Sequence, residues 1–249
     1  MLREERLQII LNMLDTDQRV SSNQLAEILN VSDDTIRRDL NELAENGLLK
    51  KVHGGAIPKS PSPYKLTERI NILHEEKIIL AQKAQQFFKN GQVIILDNGS
   101  TNMEVARLMS PNLKATVFTT SIPIALILCE HPNIELFMLG GKVFKDAQNT
   151  YGTGVIELLN KIRADIFLLG VCGMHHQIGV TMPDWDESVV KKKMAEISAK
   201  TIALVTADKL NTAENYVVCS YQKIDIMLTD DTISQSQLID YQGLGVEIL

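Results

Sequence analysis

Hydroxyl, amide and glycine groups recur in this sequence where they can capture an anion. Asp97-Asn98-Gly99-Ser100-Thr101 is the longest such run; the others are Thr119-Thr120-Ser121, Gly140-Gly141 and Gly170-Val171-Cys172-Gly173. Glycine lets backbone N–H groups approach a ligand closely, and a hydroxyl followed by a helix start favours a phosphate. Any one of these runs is ordinary strand-to-helix turn chemistry. All four, each directly after a short apolar run, predict a shared binding crevice. A different chemistry stands near the N-terminus, where Ser32 and Thr35 precede Arg37-Arg38, and Lys50, Lys51 and His53 follow soon after. Arginine can fork onto guanine or clamp a phosphate, and hydroxyls and free N–H groups at a helix start bind phosphate. Ser21, Ser32, Thr35, Arg37, Arg38, Lys51 and His53 are the candidate DNA-contacting set.

The elements that must position these groups are legible from periodicity. Leu7, Ile10, Leu11 and Leu14 recur at helical spacing. Ser21 begins the next helix, with Gln24 as its capping-box partner and Val20 and Leu25 as a hydrophobic staple. Ser32 begins a third, with Asp33 and Asp34 in its first turn and Val31 and Ile36 as staple. Ile36, Leu40 and Leu43 form the buried stripe of that helix, which leaves Thr35, Arg37 and Arg38 outward, and Gly47 stops it. Only Leu29-Asn30-Val31 separates the second and third apolar patterns, the spacing of a helix-turn-helix. Two short strand-like runs about Gly54-Gly55 predict a wing. On an isolated exposed helix the arginines would instead pair with Asp33, Asp34, Asp39 or Glu42.

Pro58, Pro61 and Pro63, with Ser60 and Ser62, then break regular structure and predict a linker. From Gln92 onward seven apolar, β-branched-rich runs alternate with helical windows: 93–96, 115–118, 134–139, 166–169, 202–205, 224–228 and 246–249. That pattern predicts a largely parallel sheet with helices on both faces. The fold class is α/β, an N-terminal winged helix-turn-helix plus a C-terminal Rossmann-like domain. The expected division is a DNA-binding domain at 1–57, a linker at 58–74 and an effector-sensing domain at 75–249. Ligands of doubly wound sheets lie beyond the carboxyl ends of the strands, where the anion-capturing runs fall.

Composition narrows the function classes. Of 249 residues, 45% are hydrophobic and 22% charged, ordinary for a globular protein. The net charge of −6 argues against non-specific nucleic-acid binding. Residues 1–57 carry 7 Lys and Arg against 10 Asp and Glu, so DNA binding must rest on local charge placement. Cys129, Cys172 and Cys219 lie far apart and form no paired framework, which predicts free, mostly buried thiols in a reducing compartment. No signal peptide and no spanning run is evident, so a cytoplasmic location is expected.

The run VSDDTIRRDLNELAENGLLKKVHGGAI, residues 31–57, closely resembles the helix-turn-helix signature of the DeoR-type transcription regulators. The resemblance extends over nearly the whole chain, because the second half is similar to their sensor domain, itself similar in fold to ribose phosphate isomerase. It implies that Asn98, Gly99, Ser100 and Thr101 hold a phosphate, with Asp97 near the sugar. Thr120-Ser121 stands where the family usually shows Asn-Ser. Glu187 and Lys191 fit its Glu-x-x-x-Lys element, and Lys209 fits the lysine that closes the site. Thr206 stands where the family has an Asp, with Asp208 nearby. The implied protein is a repressor of carbohydrate metabolism. Its partners are operator DNA, a phosphorylated sugar or related metabolite, and further copies of itself as a homodimer or higher homo-oligomer, with no cofactor.

Three rival readings attach to particular residues. A working isomerase needs a carboxylate base in its pocket, but Gly170-Val171-Cys172-Gly173-Met174 has none where those enzymes carry an acidic loop. Catalysis is therefore not expected. Cys172, His175 and His176 lack the paired spacing of a structural zinc site, so no metal is expected. No basic residue neighbours Cys172 in sequence to activate it for redox sensing. Trp185 is read either as a lid over the pocket or as a rim residue on the sheet edge.

Overall fold

The computed structural model describes residues 1–61 and 63–249; Ser62, one of the expected linker residues, lies outside them. The N-terminal module has three helices, Arg3–Asp17, Ser22–Leu29 and Asp33–Glu45, and a three-stranded antiparallel sheet. The hydroxyls of Ser21 and Ser32 accept from the backbone N–H of Gln24 and Thr35, at 3.3 and 3.2 Å. These two caps start the helix pair where the sequence places it. Asn30 takes a left-handed conformation in the turn and Gly47 in the stop after the third helix. Ile10, Leu14, Leu25, Ile36, Leu40 and Leu43 are buried in one cluster.

The wing pairs Lys50–Val52 with Gly55–Ile57, and Val20–Ser21 adds a third strand to it. Gly55 is obligatory there, because a Cβ at that position would sit 1.9 Å from the Val20 carbonyl oxygen. Arg6 grips both Asp39 carboxylate oxygens, at 2.5 and 2.9 Å, tying the first helix to the third. Asp39, one of the possible partners of the arginine pair, is thus committed to the core side.

The span read as a linker is more ordered than its prolines suggest. Leu66–Arg69 is a helix, Leu66 is buried among side chains of the C-terminal domain, and its N–H donates to the Asp146 carbonyl at 2.8 Å. Residues 58–61 and 63–73 form a strap laid on the C-terminal domain: Pro58 accepts from the Ala213 N–H at 3.2 Å.

The C-terminal domain is built on a seven-stranded, wholly parallel sheet. Its spatial order is Glu247–Ile248, Ile226–Thr229, Ser198–Val205, Ala164–Gly170, Val93–Leu96, Ala115–Thr119, Ile134–Met138. Alternate residues feed two cores. Ile94 and Leu96 pack under the helices His74–Ala84, Ser100–Leu108 and Ile122–Cys129, while Ile95 packs with Thr153–Leu159 and Trp185–Ile197 on the opposite face. The chain winds outward in both directions from the neighbours Val93–Leu96 and Ala164–Gly170. Their carboxyl ends therefore form the topological switch point where such sheets bind ligands.

Two antiparallel additions escape the sequence pattern. One is the hairpin Lys142–Phe144/Asn149–Tyr151, and the other is the sheet of Gly173–His175, Gly179–Met182 and Tyr216–Cys219. The thiols are not mostly buried: Cys129 is exposed, and Cys172 and Cys219 are half-buried. No helix among the described residues is long and apolar enough to cross a membrane.

Candidate functional site

Most of the expected DNA-contacting residues lie along the third helix and the wing. Arg37 and Arg38 are about 70% and 79% exposed, and each ion-pairs one turn back, with Asp33 at 2.8 Å and Asp34 at 2.6 Å. Exposed pairs of this kind contribute a few tenths of a kcal/mol, roughly, so a phosphate can displace them. Arg37, Lys51 and His53 line one groove between the helix and the wing; Thr35 and Arg38 flank another beside the first helix. The Ser32 and Thr35 hydroxyls bond each other at 2.9 Å, and Lys51 reaches Asn41. Ser21 sits apart, as a helix cap within the paired strand Val20–Ser21. Lys50 does not face outward with the wing, because its ammonium donates to Asn215 of the sensor domain at 2.8 Å.

The second site is a pocket at the switch point. Gly99, with φ of +126°, turns the chain from Val93–Leu96 into the helix Ser100–Leu108. The unpaired N–H groups of that helix's first turn favour an anion. Asn98, Ser100, Thr101 and Asn102 line the pocket, and Lys77, Lys191, Lys209 and Arg69 surround it. The side-chain amide oxygens of Asn98 and Asn102 are buried with no hydrogen-bond partner among the described residues.

Beneath the pocket lies a buried ionic network. Lys191 contacts Asp97 at 2.8 Å and Glu187 at 3.3 Å, and donates to the Gly170 carbonyl at 3.1 Å. Asp97 also accepts from the Gly170 and Asn98 N–H groups, both at 2.9 Å. Burial pushes the Asp97 carboxyl up to about 6, even against the pull of Lys191. Burial opposes the charge on Lys191, but its two carboxylate partners win and hold the ammonium above its usual range. The Tyr64 hydroxyl, from the strap, donates to Glu187 at 2.6 Å, and burial together with that carboxylate raises the phenol strongly. Lys209 pairs with Asp208 at 2.8 Å, which also accepts from Thr206 at 2.6 Å.

The expected effector residues therefore divide. Asn98, Gly99, Ser100, Thr101, Lys191 and Lys209 line the pocket, and Asp97 and Glu187 hold Lys191 in place. Thr120, Ser121, Gly140 and Gly141 are not brought to it. Thr120 accepts from the Thr150 N–H at 2.9 Å, Ser121 caps the helix Ile122–Cys129, and Gly141 lies where a Cβ would meet the Tyr151 carbonyl at 2.4 Å. Those residues seat the hairpin against the sheet. Trp185 is a rim residue, not a lid: it is 61% exposed and packs edge-on against Tyr216 at 5.5 Å.

The sequence does not point to Arg69, Ile72, Leu73, Lys77, Asn102 or Leu204, which also line the pocket. The available signal was Lys77, which shares the apolar stripe of Leu80, Ala81 and Ala84 yet carries a charge. Its ammonium donates to the Arg69 carbonyl at 2.6 Å and to that of Ile72. Burial, reinforced by Lys209 and Arg69, lowers it to about 8. Structure also places Lys191 near Cys172, a basic neighbour that sequence adjacency does not reveal. No group of three or more His, Cys, Asp or Glu among the described residues is arranged to hold a metal ion.

Comparison with known proteins decides the family. The DeoR-like helix-turn-helix domain matches residues 6–61, and the DeoR C terminal sensor domain matches residues 73–231. The chain belongs to the DeoR family. Relatives of this family are similar along its entire length. The HTH-type transcriptional repressor GlcR of Bacillus subtilis is 33% identical, covering 100% of this chain and 96% of its own. The regulator GolR of Listeria innocua is 31% identical over 98% of this chain and 97% of its own. Ribose 5-phosphate isomerase A from Methanocaldococcus jannaschii is similar at 18% identity over 55% of this chain and 54% of that one, with a TM-score of 0.41, too slight a likeness to carry an argument. As a DeoR protein the chain is a DNA-binding transcription regulator and not an enzyme.

Proposed function

We propose that this DeoR protein represses a carbohydrate operon from the cytoplasm and leaves its operator when a phosphorylated sugar or related metabolite fills the switch-point pocket. Residues 1–57 read DNA, 58–74 connect, and 75–249 sense, in a homodimer or higher homo-oligomer. The relatives include a putative aga operon transcriptional repressor of Escherichia coli and a lactose phosphotransferase system repressor of Lactococcus lactis, which supports the sugar assignment. One observation carries the reading: Lys77, Lys209 and Arg69 gather at the N-terminus of Ser100–Leu108, beside the amide oxygens of Asn98 and Asn102, which have no partner among the described residues. The cations and the helix end suit a phosphate, and the amide oxygens suit sugar hydroxyls as donors.

Effector binding must favour one arrangement of the two domains over another to change operator affinity. The strap supplies that link, because its Arg69 lines the pocket and its Tyr64 donates to Glu187 beneath it. Thermal-shift measurements against matched phosphorylated and free sugars test the assignment. At one hundred times its Kd a ligand adds about 2.7 kcal/mol. The phosphorylated member alone is expected to raise Tm. Equal shifts from both members would contradict a phosphate site.

A further inference from the structure

A second cavity lies where the DNA-binding module, the strap and the sensor domain meet. Gly47 contributes from the turn just after the third helix, Lys59, Ser60, Tyr64 and Arg69 from the strap, and Glu214 from the sensor. Its polar groups are unusual. Ser60 Oγ, Arg69 Nε and Glu214 Oε2 are buried, and none of the three has a hydrogen-bond partner among the described residues. Glu214 is only 6% exposed, so its orphaned oxygen costs free energy unless something donates to it. Burial raises its carboxyl despite Lys59, Lys50 and Lys209 nearby, so neighbouring charge does not offset its desolvation.

This cavity adjoins the switch-point pocket. Arg69 and Cys172 line both, and Tyr64 links the joint cavity to Glu187 and so to Lys191. An acceptor on Glu214, a donor on Arg69 and a hydroxyl on Ser60 match a run of ligand hydroxyls. They match a second phosphate poorly, because the Glu214 carboxylate would face it.

We propose that the joint cavity is a second subsite of the effector pocket, taking the hydroxyl-bearing far end of a monophosphorylated sugar or sugar alcohol. The ligand then touches the strap and the DNA-binding module directly. Chain length is then expected to set specificity, with a six-carbon chain engaging Glu214 and a three-carbon phosphate filling the anion site alone. This rests on the phosphate reading of the first pocket.

The test is isothermal titration of the full chain with inorganic phosphate, glycerol 3-phosphate, glucitol 6-phosphate and fructose 1,6-bisphosphate, repeated with Glu214→Gln and Ser60→Ala. Glucitol 6-phosphate is expected to bind about tenfold tighter than glycerol 3-phosphate, the worth of one or two net hydrogen bonds. Each variant should shrink that advantage while leaving inorganic phosphate and glycerol 3-phosphate unchanged, with circular dichroism confirming the fold. Two outcomes overturn the subsite while sparing the phosphate reading: an undiminished advantage in both variants, or tightest binding by the bisphosphate. Absence of binding by every phosphate would sink both.

Discussion

Replacing Lys191 by Met should destabilise the sensor domain more than any other single change at the pocket. Lys191 is the sole cation contacting Asp97 and Glu187 among the described ion pairs, and all three side chains are almost completely buried. Removing one member of a buried network leaves uncompensated charge and costs roughly 3–5 kcal/mol. For a domain of this size that is a fall in Tm of roughly 6–20 °C. The pH dependence gives the sharper signature. Asp97 already stands at about 6 in the folded protein against a reference of 3.8. A carboxyl raised by folding favours the folded state below its unfolded value, and that advantage is lost as pH rises through the folded value. Without Lys191 the Asp97 value rises further, so the deficit of the variant should be largest near neutrality and shrink as pH falls towards 5. Adding Asp97→Asn should recover part of the loss at pH 7. Urea denaturation from pH 5 to 8 measures this. Unchanged stability at pH 7, or a deficit that grows on acidification, would refute the reasoning.

Three further outcomes follow from the same geometry. Arg37→Ala with Arg38→Ala should weaken DNA binding and lower the dependence of log K on log salt by about 0.9 for each phosphate the arginines no longer neutralise, while sugar-phosphate affinity is kept; anisotropy and calorimetry check the two halves. Lys77, lowered to about 8, should lose its charge as pH rises through that value. Affinity for a phosphate ligand should therefore fall between pH 7 and 9, and Lys77→Met should flatten the profile in calorimetric titrations. His175 is buried and held down to about 4, so folding favours its neutral form. That stability is present above the unfolded value near 6.5 and is lost as pH falls towards 4, by on the order of 1–3 kcal/mol. His175→Gln should reduce this acid sensitivity in urea melts.

Much of the fold is legible in the sequence because its elements carry strong local signals. Ser21 and Ser32 mark helix starts through the caps they form, and Ile94 and Ile95 lie in a run apolar enough for a strand covered on both faces. The three- and four-residue strands of Gly173–His175 and Gly179–Met182 offer too little pattern to be read, and tertiary context forms them. From the residues alone the site is legible where chemistry and strand ends coincide, as at Asn98–Thr101, whereas Lys191 and Lys209 come from the family resemblance. Ser121 and Gly141 show the same turn chemistry, but they use it to seat a hairpin. Arg69 and Tyr64 were invisible as site residues because the prolines around them point to a disengaged linker. Leu66, buried against the sensor domain, is what holds that segment at the pocket.

Release of DNA by the arginine-bearing helix should follow capture of a phosphate at the switch-point pocket. Its most direct measurement is fluorescence anisotropy on a duplex selected by this protein from a random pool, titrated with a hexose phosphate. Wild type should release the duplex as the phosphate ester is added. Ser100→Ala and Lys209→Ala should bind the duplex as wild type does but fail to release it. Release that is equal in wild type and both variants, or equal for the unphosphorylated sugar, would contradict the account.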